Sequence, residues 1–178
     1  MKAILLIDHG SVRAEANHML ECVAKLVQAM AGDGVIVRFA HMELAEPSIA
    51  EGLARCVSAG ATEVIAFPYM LSPGKHSTRD IPRMVAEAAR AFPGVACSVT
   101  PAFGVHDKLA EVILERSGVP ARAATAAGRA EGRSYCMRPE GAPERYCGDG
   151  CREVSAGCPP QAGGCSRPSA LGAPLSAQ

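Results

Sequence analysis

The sequence predicts an α/β fold: a mainly parallel four-stranded sheet with helices on both faces, followed by a mostly disordered tail. Three observations predict it. Short apolar runs rich in β-forming residues alternate four times with amphipathic stretches at helical spacing across residues 1–119, an order that implies a parallel sheet covered on both faces. Each connection between them is short and carries Gly or Pro, which leaves right-handed crossovers as the economical path. From Pro120 onward the branched aliphatic residues nearly vanish, leaving Val154, Leu171 and Leu175. Such a segment cannot bury enough apolar surface to offset the entropy of ordering it.

Taken in order, Lys2 to Ile7 read as a buried strand. Val12 to Ala31 follow as a helix, with Val12, Ala16, Met19, Val23, Leu26, Val27 and Met30 recurring at helical spacing. Met19 and Met30 are assigned to the core, and His18 to the solvated side. Gly32-Asp33-Gly34 ends this helix, and Val35 to Ala40 give the second strand. His41 to Glu46 form a loop. Pro47 suits the first turn of the next helix, where its missing N–H costs nothing, and that helix runs to about Ala59 before Gly60.

Glu63 to Tyr69 form the third strand, and the loop Leu71 to Arg79 follows it. Asp80 is the expected cap of the next helix, with Pro82 in its first turn. Phe92-Pro93-Gly94 closes that helix, and Val95 to Thr100 make the fourth strand. The last helix is expected from about His106 to Arg116, ended by Gly118.

Composition narrows the function. Formal net charge is zero over 178 residues, which argues against a nucleic-acid partner, since phosphate binding needs a surplus of Lys and Arg on one face. No apolar run approaches the roughly 20 residues that span a bilayer. A strand begins at once, leaving no room for a signal-peptide core; a cytoplasmic protein is expected. Cys22, Cys56 and Cys97 lie among apolar residues and read as small buried hydrophobes. The other five, Cys136, Cys147, Cys151, Cys158 and Cys165, all fall in the tail. They supply enough thiolates for an iron–sulfur cluster or zinc, but their spacing matches no strong motif. The tail is expected to be disordered unless a metal gathers them.

The functional signal is a pair of histidines. The stretch Phe67 to Pro82 leads from a strand through Ser72-Pro73-Gly74 to His76 and into a helix. His9 comes in the same context, after the first strand and beside Gly10 and Ser11. Two loop histidines past the carboxyl ends of two strands can face one cleft, at the edge where open α/β sheets bind ligands. The glycine-rich phosphate fingerprint is missing after the first strand, where Gly10 stands alone, which lowers the case for a nucleotide binder. The plainer reading of either histidine alone is a surface or hydrogen-bonded residue. Structural roles are the expectation for His41 and His106.

Four motifs in order carry a resemblance: His9-Gly10-Ser11, Met42-Glu43-Leu44-Ala45-Glu46-Pro47-Ser48-Ile49, Leu71-Ser72-Pro73-Gly74-Lys75-His76 with Asp80-Ile81-Pro82, and Val105-His106-Asp107-Lys108-Leu109-Ala110. Residues 1–117 resemble the short class II tetrapyrrole chelatases, and among them the sirohydrochlorin chelatases of the CbiX/SirB group. The tail departs from the family. Cys147 and Cys151 are separated by three residues, where some long relatives carry a Cys-x-x-Cys element, and no histidine follows His106.

The resemblance implies a chelatase-like three-layer fold over residues 1–119, with residues 120–178 as an appended tail. It also implies ATP-independent insertion of a divalent metal into sirohydrochlorin, feeding cobalamin or siroheme synthesis. Cobalt is the first expectation, ferrous iron the second, and nickel suits the same ligands. A half-length core implies a homodimer. His9 and His76 are then metal ligands, with His9 also the proton acceptor, because neutral imidazole both takes a proton near neutral pH and ligates borderline metals. The family pattern points to Glu46 as the substrate-contacting acid, with Glu43 in reserve and a helix-dipole role as the plainer reading of Glu46. The loop Leu71, Ser72, Pro73, Gly74, Lys75 and His76 is expected to bind the macrocycle's carboxylates. Ser11, Arg13, Ser77, Thr78 and Arg79 are further donors. A non-catalytic metal or tetrapyrrole carrier on the same scaffold is the alternative.

Overall fold

The alternation of apolar runs resolves into four strands and four α-helices in a computed structural model that describes residues 1–104 and 106–121. The strands are β1 (Lys2–Asp8), β2 (Val35–His41), β3 (Glu63–Pro68) and β4 (Ala96–Val99). The helices are α1 (Ala14–Ala31), α2 (Ile49–Ser58), α3 (Ile81–Ala89) and α4 (Asp107–Arg116), with a π-turn at His76–Asp80 running straight into α3. All pairings are parallel and the spatial order is β2-β1-β3-β4. The expectations for the tail cysteines Cys136, Cys147, Cys151, Cys158 and Cys165, and for Val105, lie outside the described residues.

These residues fall into two compact units. The first holds residues 1–70 and 74–102, and therefore the whole sheet with α1, α2 and α3. The second holds Leu71–Pro73 and the stretch from Phe103 that contains α4. Within the second unit the Gly104 N–H donates to the Leu71 carbonyl at 3.0 Å, and the His106 imidazole caps α4 by accepting from the Lys108 N–H at 3.0 Å. His106 thus has the structural role expected of it.

Period-two alternation splits the core of the first unit into two layers. Ala3, Leu5 and Ile7 of β1 join Ile49, Leu53, Cys56, Ile81 and Val85 of α2 and α3 on one side. Leu6 of β1 joins Leu20 and Ala24 of α1 and Val37 of β2 on the other. Burial pushes the Cys56 thiol up to about 11 and raises that of Cys97 as well, so both act as the small hydrophobes expected.

Several expectations about the helices need correction. Met30 is 79 % exposed and Met19 is 54 % exposed, and neither belongs to the core. At 100° per residue they lie roughly 80–100° around α1 from the Leu20 contact line, so the stripe read from spacing was wider than the face the sheet covers. Val12 precedes the helix, and Cys22 is exposed rather than buried. Pro47 is not in the first turn of α2: Ser48 is its N-cap and forms a reciprocal capping box with Glu51, satisfying two N–H groups at once. Asp80 makes no capping bond to α3, because the π-turn carries helical backbone through that position and leaves no free end to cap.

Helix α2 approaches the sheet through Gly52. A Cβ there would stand 2.8 Å from Ala40 Cβ, 2.9 Å from Leu5 Cδ1 and 3.2 Å from the Phe39 carbonyl. Those neighbours are backbone or buried side chain, so they cannot swing aside. Gly52→Ala should therefore destabilise the protein by about 1–3 kcal/mol through overpacking, although alanine is intrinsically the better helix former. A thermal melt checks this; an unchanged or higher midpoint would show that α2 can lift off the sheet freely.

Candidate active site

The order β2-β1-β3-β4 means that the chain moves to one side of β1 and then crosses to the other. The carboxyl edge beside β1 is therefore the point where the crossovers part, the place where open α/β sheets bind ligands. His9 follows β1 directly, and His76 follows the loop after β3.

The turn that carries His9 is tied at several atoms. Asp8 Oδ1 accepts the Gly10 N–H at 2.9 Å and meets His41 Nδ1 at 2.6 Å. A carboxylate can only accept, so the hydrogen on this His41 nitrogen is fixed by its partner. Met42 N–H donates to the Asp8 carbonyl at 2.9 Å, and Glu43 N–H to the His9 carbonyl at 3.0 Å, extending the β1–β2 ladder past the strands. Gly10 has φ +82°, and a Cβ on it would run into the Glu43 carbonyl and come within 3.1 Å of His41 Cβ. Only glycine fits both conditions. From α1, Asn17 clasps Ser11 by accepting its N–H at 2.9 Å and donating to its carbonyl at 2.8 Å.

His41 itself is 1 % exposed, and its Nε2 is buried with no hydrogen-bond partner among the described residues. Its ring meets Phe39 edge to face with centroids 5.7 Å apart. An unsatisfied buried nitrogen costs about 1–3 kcal/mol, so the imidazole is not an optimal core residue.

His76 opens the π-turn. Its Nδ1 lies 3.0 Å from Asp80 Oδ2, four residues on, while Asp80 Oδ1 accepts Arg79 Nε at 3.1 Å. Burial works to raise the Asp80 pKa, but the hydrogen bond and charge of Arg79, helped by His76 and Lys75, outweigh it and hold the carboxyl below its ordinary value. Asp80 is thus a brace for His76, not a helix cap. The i,i+4 spacing of His76 and Asp80 within helical backbone was the signal available for this.

These two supports bring the imidazoles together. The ring centroids of His9 and His76 are 5.3 Å apart and the planes are inclined at 70°. His9 Nδ1 lies 3.3 Å from the Gly10 carbonyl, so each Nδ1 has an oxygen neighbour and each Nε2 is left as the nitrogen with an open lone pair. Among the described residues no third His, Cys, Asp or Glu completes a metal-binding group.

The remaining sequence-derived residues divide. Glu46 Oε2 accepts the Ser48 N–H at 2.7 Å, and the same N–H reaches Glu51 Oε2 at 2.8 Å. Glu46 is thereby engaged at the start of α2. The Glu43 side chain is exposed and makes no hydrogen bond or ion pair to a described residue, while its backbone is locked to His9. In the loop 71–76, Gly74 and Lys75 are exposed with His76 in the first unit, and Leu71, Ser72 and Pro73 go with the second. Ser77 is buried and its hydroxyl closes on Gly74, accepting its N–H at 3.0 Å and donating to its carbonyl at 3.2 Å. The Thr78 hydroxyl donates to the same carbonyl at 2.8 Å. Ser77, Thr78 and the Gly74 N–H are therefore used within the loop. Lys75 and Arg13 make no ion pair with a described residue. His18 is solvated as expected, paired with Glu21 at 3.2 Å.

A doubly wound four-stranded sheet with paired imidazoles over its switch point defines a chelatase-like α/β protein. The chain belongs to the CbiX family, whose sequence profile matches residues 3–118. It is 43 % identical over 113 residues to the chloroplastic sirohydrochlorin ferrochelatase of Arabidopsis thaliana, covering 64 % of this chain and 50 % of that one. It is 29 % identical over 116 residues to the sirohydrochlorin cobaltochelatase of Sulfurisphaera tokodaii, covering 65 % of this chain and 91 % of that one. Its fold matches the crystal structure of the sirohydrochlorin chelatase SirB from Bacillus subtilis subspecies spizizenii in complex with cobalt, with TM-score 0.61 and 28 % identity. That match covers 66 % of this chain and 50 % of SirB. The chain thus spans half the length of the plant relative and of SirB. No helix among the described residues is long and apolar enough to cross a membrane.

The Glu51 carboxyl is held at about 2, from an ordinary 4.5, by a hydrogen bond with Glu46 first and by the Ser48 N–H and hydroxyl next. Its folded pKa is depressed, so its contribution to stability is present above the unfolded value and is lost as pH falls from 4.5 toward 2. Wild type should therefore melt above Glu51→Gln at pH 6, and the gap should close on acidification across that window. A gap independent of pH would show that the carboxylate charge plays no part in the cap.

Proposed function

We propose that this protein is a sirohydrochlorin chelatase that inserts a divalent metal into the macrocycle with release of two protons and without ATP. The observation that carries the proposal is the 5.3 Å separation of the His9 and His76 rings. With metal–nitrogen bonds of about 2.1 Å, two imidazoles sharing one tetrahedral ion have ring centres about 5.2 Å apart. The observed centroid separation supports one ion shared between the pair. Two ligands leave positions open to solvent and then to pyrrole nitrogen, as a donor that must give up its ion requires. Family membership and relatives named as sirohydrochlorin chelatases support the same reading.

In this reading the metal is a substrate, held at His9 and His76 and passed to one face of the macrocycle. His9 is assigned as the proton acceptor, free to take a proton once its ring has given up the ion. For the second proton the hydrogen bonding favours Glu43 over Glu46. Glu43 has a free carboxylate on a backbone fixed to His9, whereas Glu46 is occupied with Ser48. Lys75 and Arg13 are the cations available to the carboxylates of the macrocycle, and the loop Leu71–His76 is assigned to the same task from the family pattern.

Cobalt is the first choice of ion, with ferrous iron and nickel as alternatives, because imidazole suits all three and supply selects among them. The names of the relatives support cobalt and iron alike. A homodimer, a chelatase domain over residues 1–119, a tail over residues 120–178 able to gather a cluster or zinc, and a cytoplasmic location complete the proposal.

The test is a spectroscopic assay of sirohydrochlorin with Co²⁺, Fe²⁺ and Ni²⁺ in parallel. Many equivalents converted per protein are expected; conversion that stops at one equivalent would identify a carrier instead. His9→Ala and His76→Ala should each remove most of the metallation while the circular dichroism spectrum is unchanged. Near-normal rates in either would sink the shared-ion geometry. Glu43→Gln should lower the rate by about 100-fold, in the range of a lost general base, and Glu46→Gln by far less. The reverse order would return the acid's role to Glu46.

A further inference from the structure

Beneath the His9 turn lies a polar pair that the reaction above does not use. His41 ends β2 and Asp8 ends β1, paired across the ladder. The His41 ring is fully buried, and its Nδ1 stands 2.6 Å from Asp8 Oδ1, the same oxygen that accepts the Gly10 N–H. One oxygen therefore receives both the buried imidazole and the backbone of the residue after His9. The Asp8 side chain is 19 % exposed, so water has limited access to compete for it.

We infer that His41 is a positioning residue for metallation: through its bond to Asp8 it sets the His9–Gly10 turn so that the His9 ring meets His76. This rests on the chelatase reading above. Two costs compete at His41. His41 leaves Nε2 buried and unpartnered, so a phenylalanine beside Phe39 would suit the core better. What phenylalanine cannot supply is the hydrogen on Nδ1. With that bond gone, the Asp8 carboxylate can turn toward solvent and release the Gly10 N–H. Gly10 packs closely against the Glu43 carbonyl, and a turn no longer held by Asp8 loses the placement in which the His9 ring meets His76. The effect passes through Asp8 and the turn; His41 touches neither ion nor macrocycle.

Stability and function should therefore separate. His41→Phe is expected to keep or raise the melting temperature, to weaken Co²⁺ binding by about tenfold, as loss of a support behind a metal ligand does, and to lower kcat with little change in KM for sirohydrochlorin. His41→Asn places an N–H where Nδ1 was and should recover most of the Co²⁺ affinity, whereas the similarly sized His41→Leu should not. The Asn and Leu pair decides the matter if phenylalanine is not accommodated. Co²⁺ titration of the purified full chain, read by calorimetry and followed by the metallation assay, measures all of this. A folded His41→Phe or His41→Leu protein with wild-type Co²⁺ affinity and rate would overturn the inference while leaving the chelatase reading intact. Wild-type protein that neither binds Co²⁺ nor metallates sirohydrochlorin would overturn that reading, and the inference with it.

Discussion

The geometry of this protein depends on β1 being the strand around which the chain reverses. With β2 on one side and β3 on the other, all parallel, the loops after β1, β2 and β3 must leave the same edge of the sheet. That places His9, Glu43 and His76 on one rim from three separate parts of the chain. Right-handed crossovers do the rest, because they send α1 to one face and α2 and α3 to the other.

What the topology brings near, hydrogen bonds then aim. His76 is braced by a carboxylate and His9 by a carbonyl, so the two rings are held with unequal firmness. The turn under His9 is itself held from three directions: by Asp8 below, by the Glu43 backbone on the β2 side and by Asn17 from α1. The site is thus built mainly from backbone groups and side chains within a few residues of a strand end, which sheet packing keeps in place.

Much of this was legible in the sequence, for a physical reason. Strands flanked by Gly and Pro announce where a chain must turn, and a histidine in such a turn lies at a sheet edge almost by construction. Local spacing therefore exposed His9 and His76. It could not expose the Asp8–His41 bond, whose partners are 33 residues apart and meet only through strand register. At Asp80 a helix-start residue and an i,i+4 partner look alike in sequence, and only the helical backbone there separates them. Met19 and Met30 carry core-like spacing yet are exposed, because amphipathic spacing shows which residues share a side of a helix, not how much of that side the sheet covers. At α2 the sequence carried two start signals, Pro47 and the Ser48–Glu51 pair; the pair prevailed because it satisfies N–H groups, where proline merely lacks one.

Asp80 does not serve His76 alone. Its other oxygen is taken by the Arg79 guanidinium, so part of its negative charge is already neutralised. A carboxylate behind a ligating imidazole normally makes that imidazole a stronger electron donor and tightens its grip on a cation. Here the guanidinium draws that electron density the other way. As the proposed ligand, His76 is kept pointed in one direction without being made a tenacious one, so alignment and tenacity, which usually rise together, are set by different groups. For the proposed chelatase, whose ion has to leave, aim without a tight hold is the useful combination.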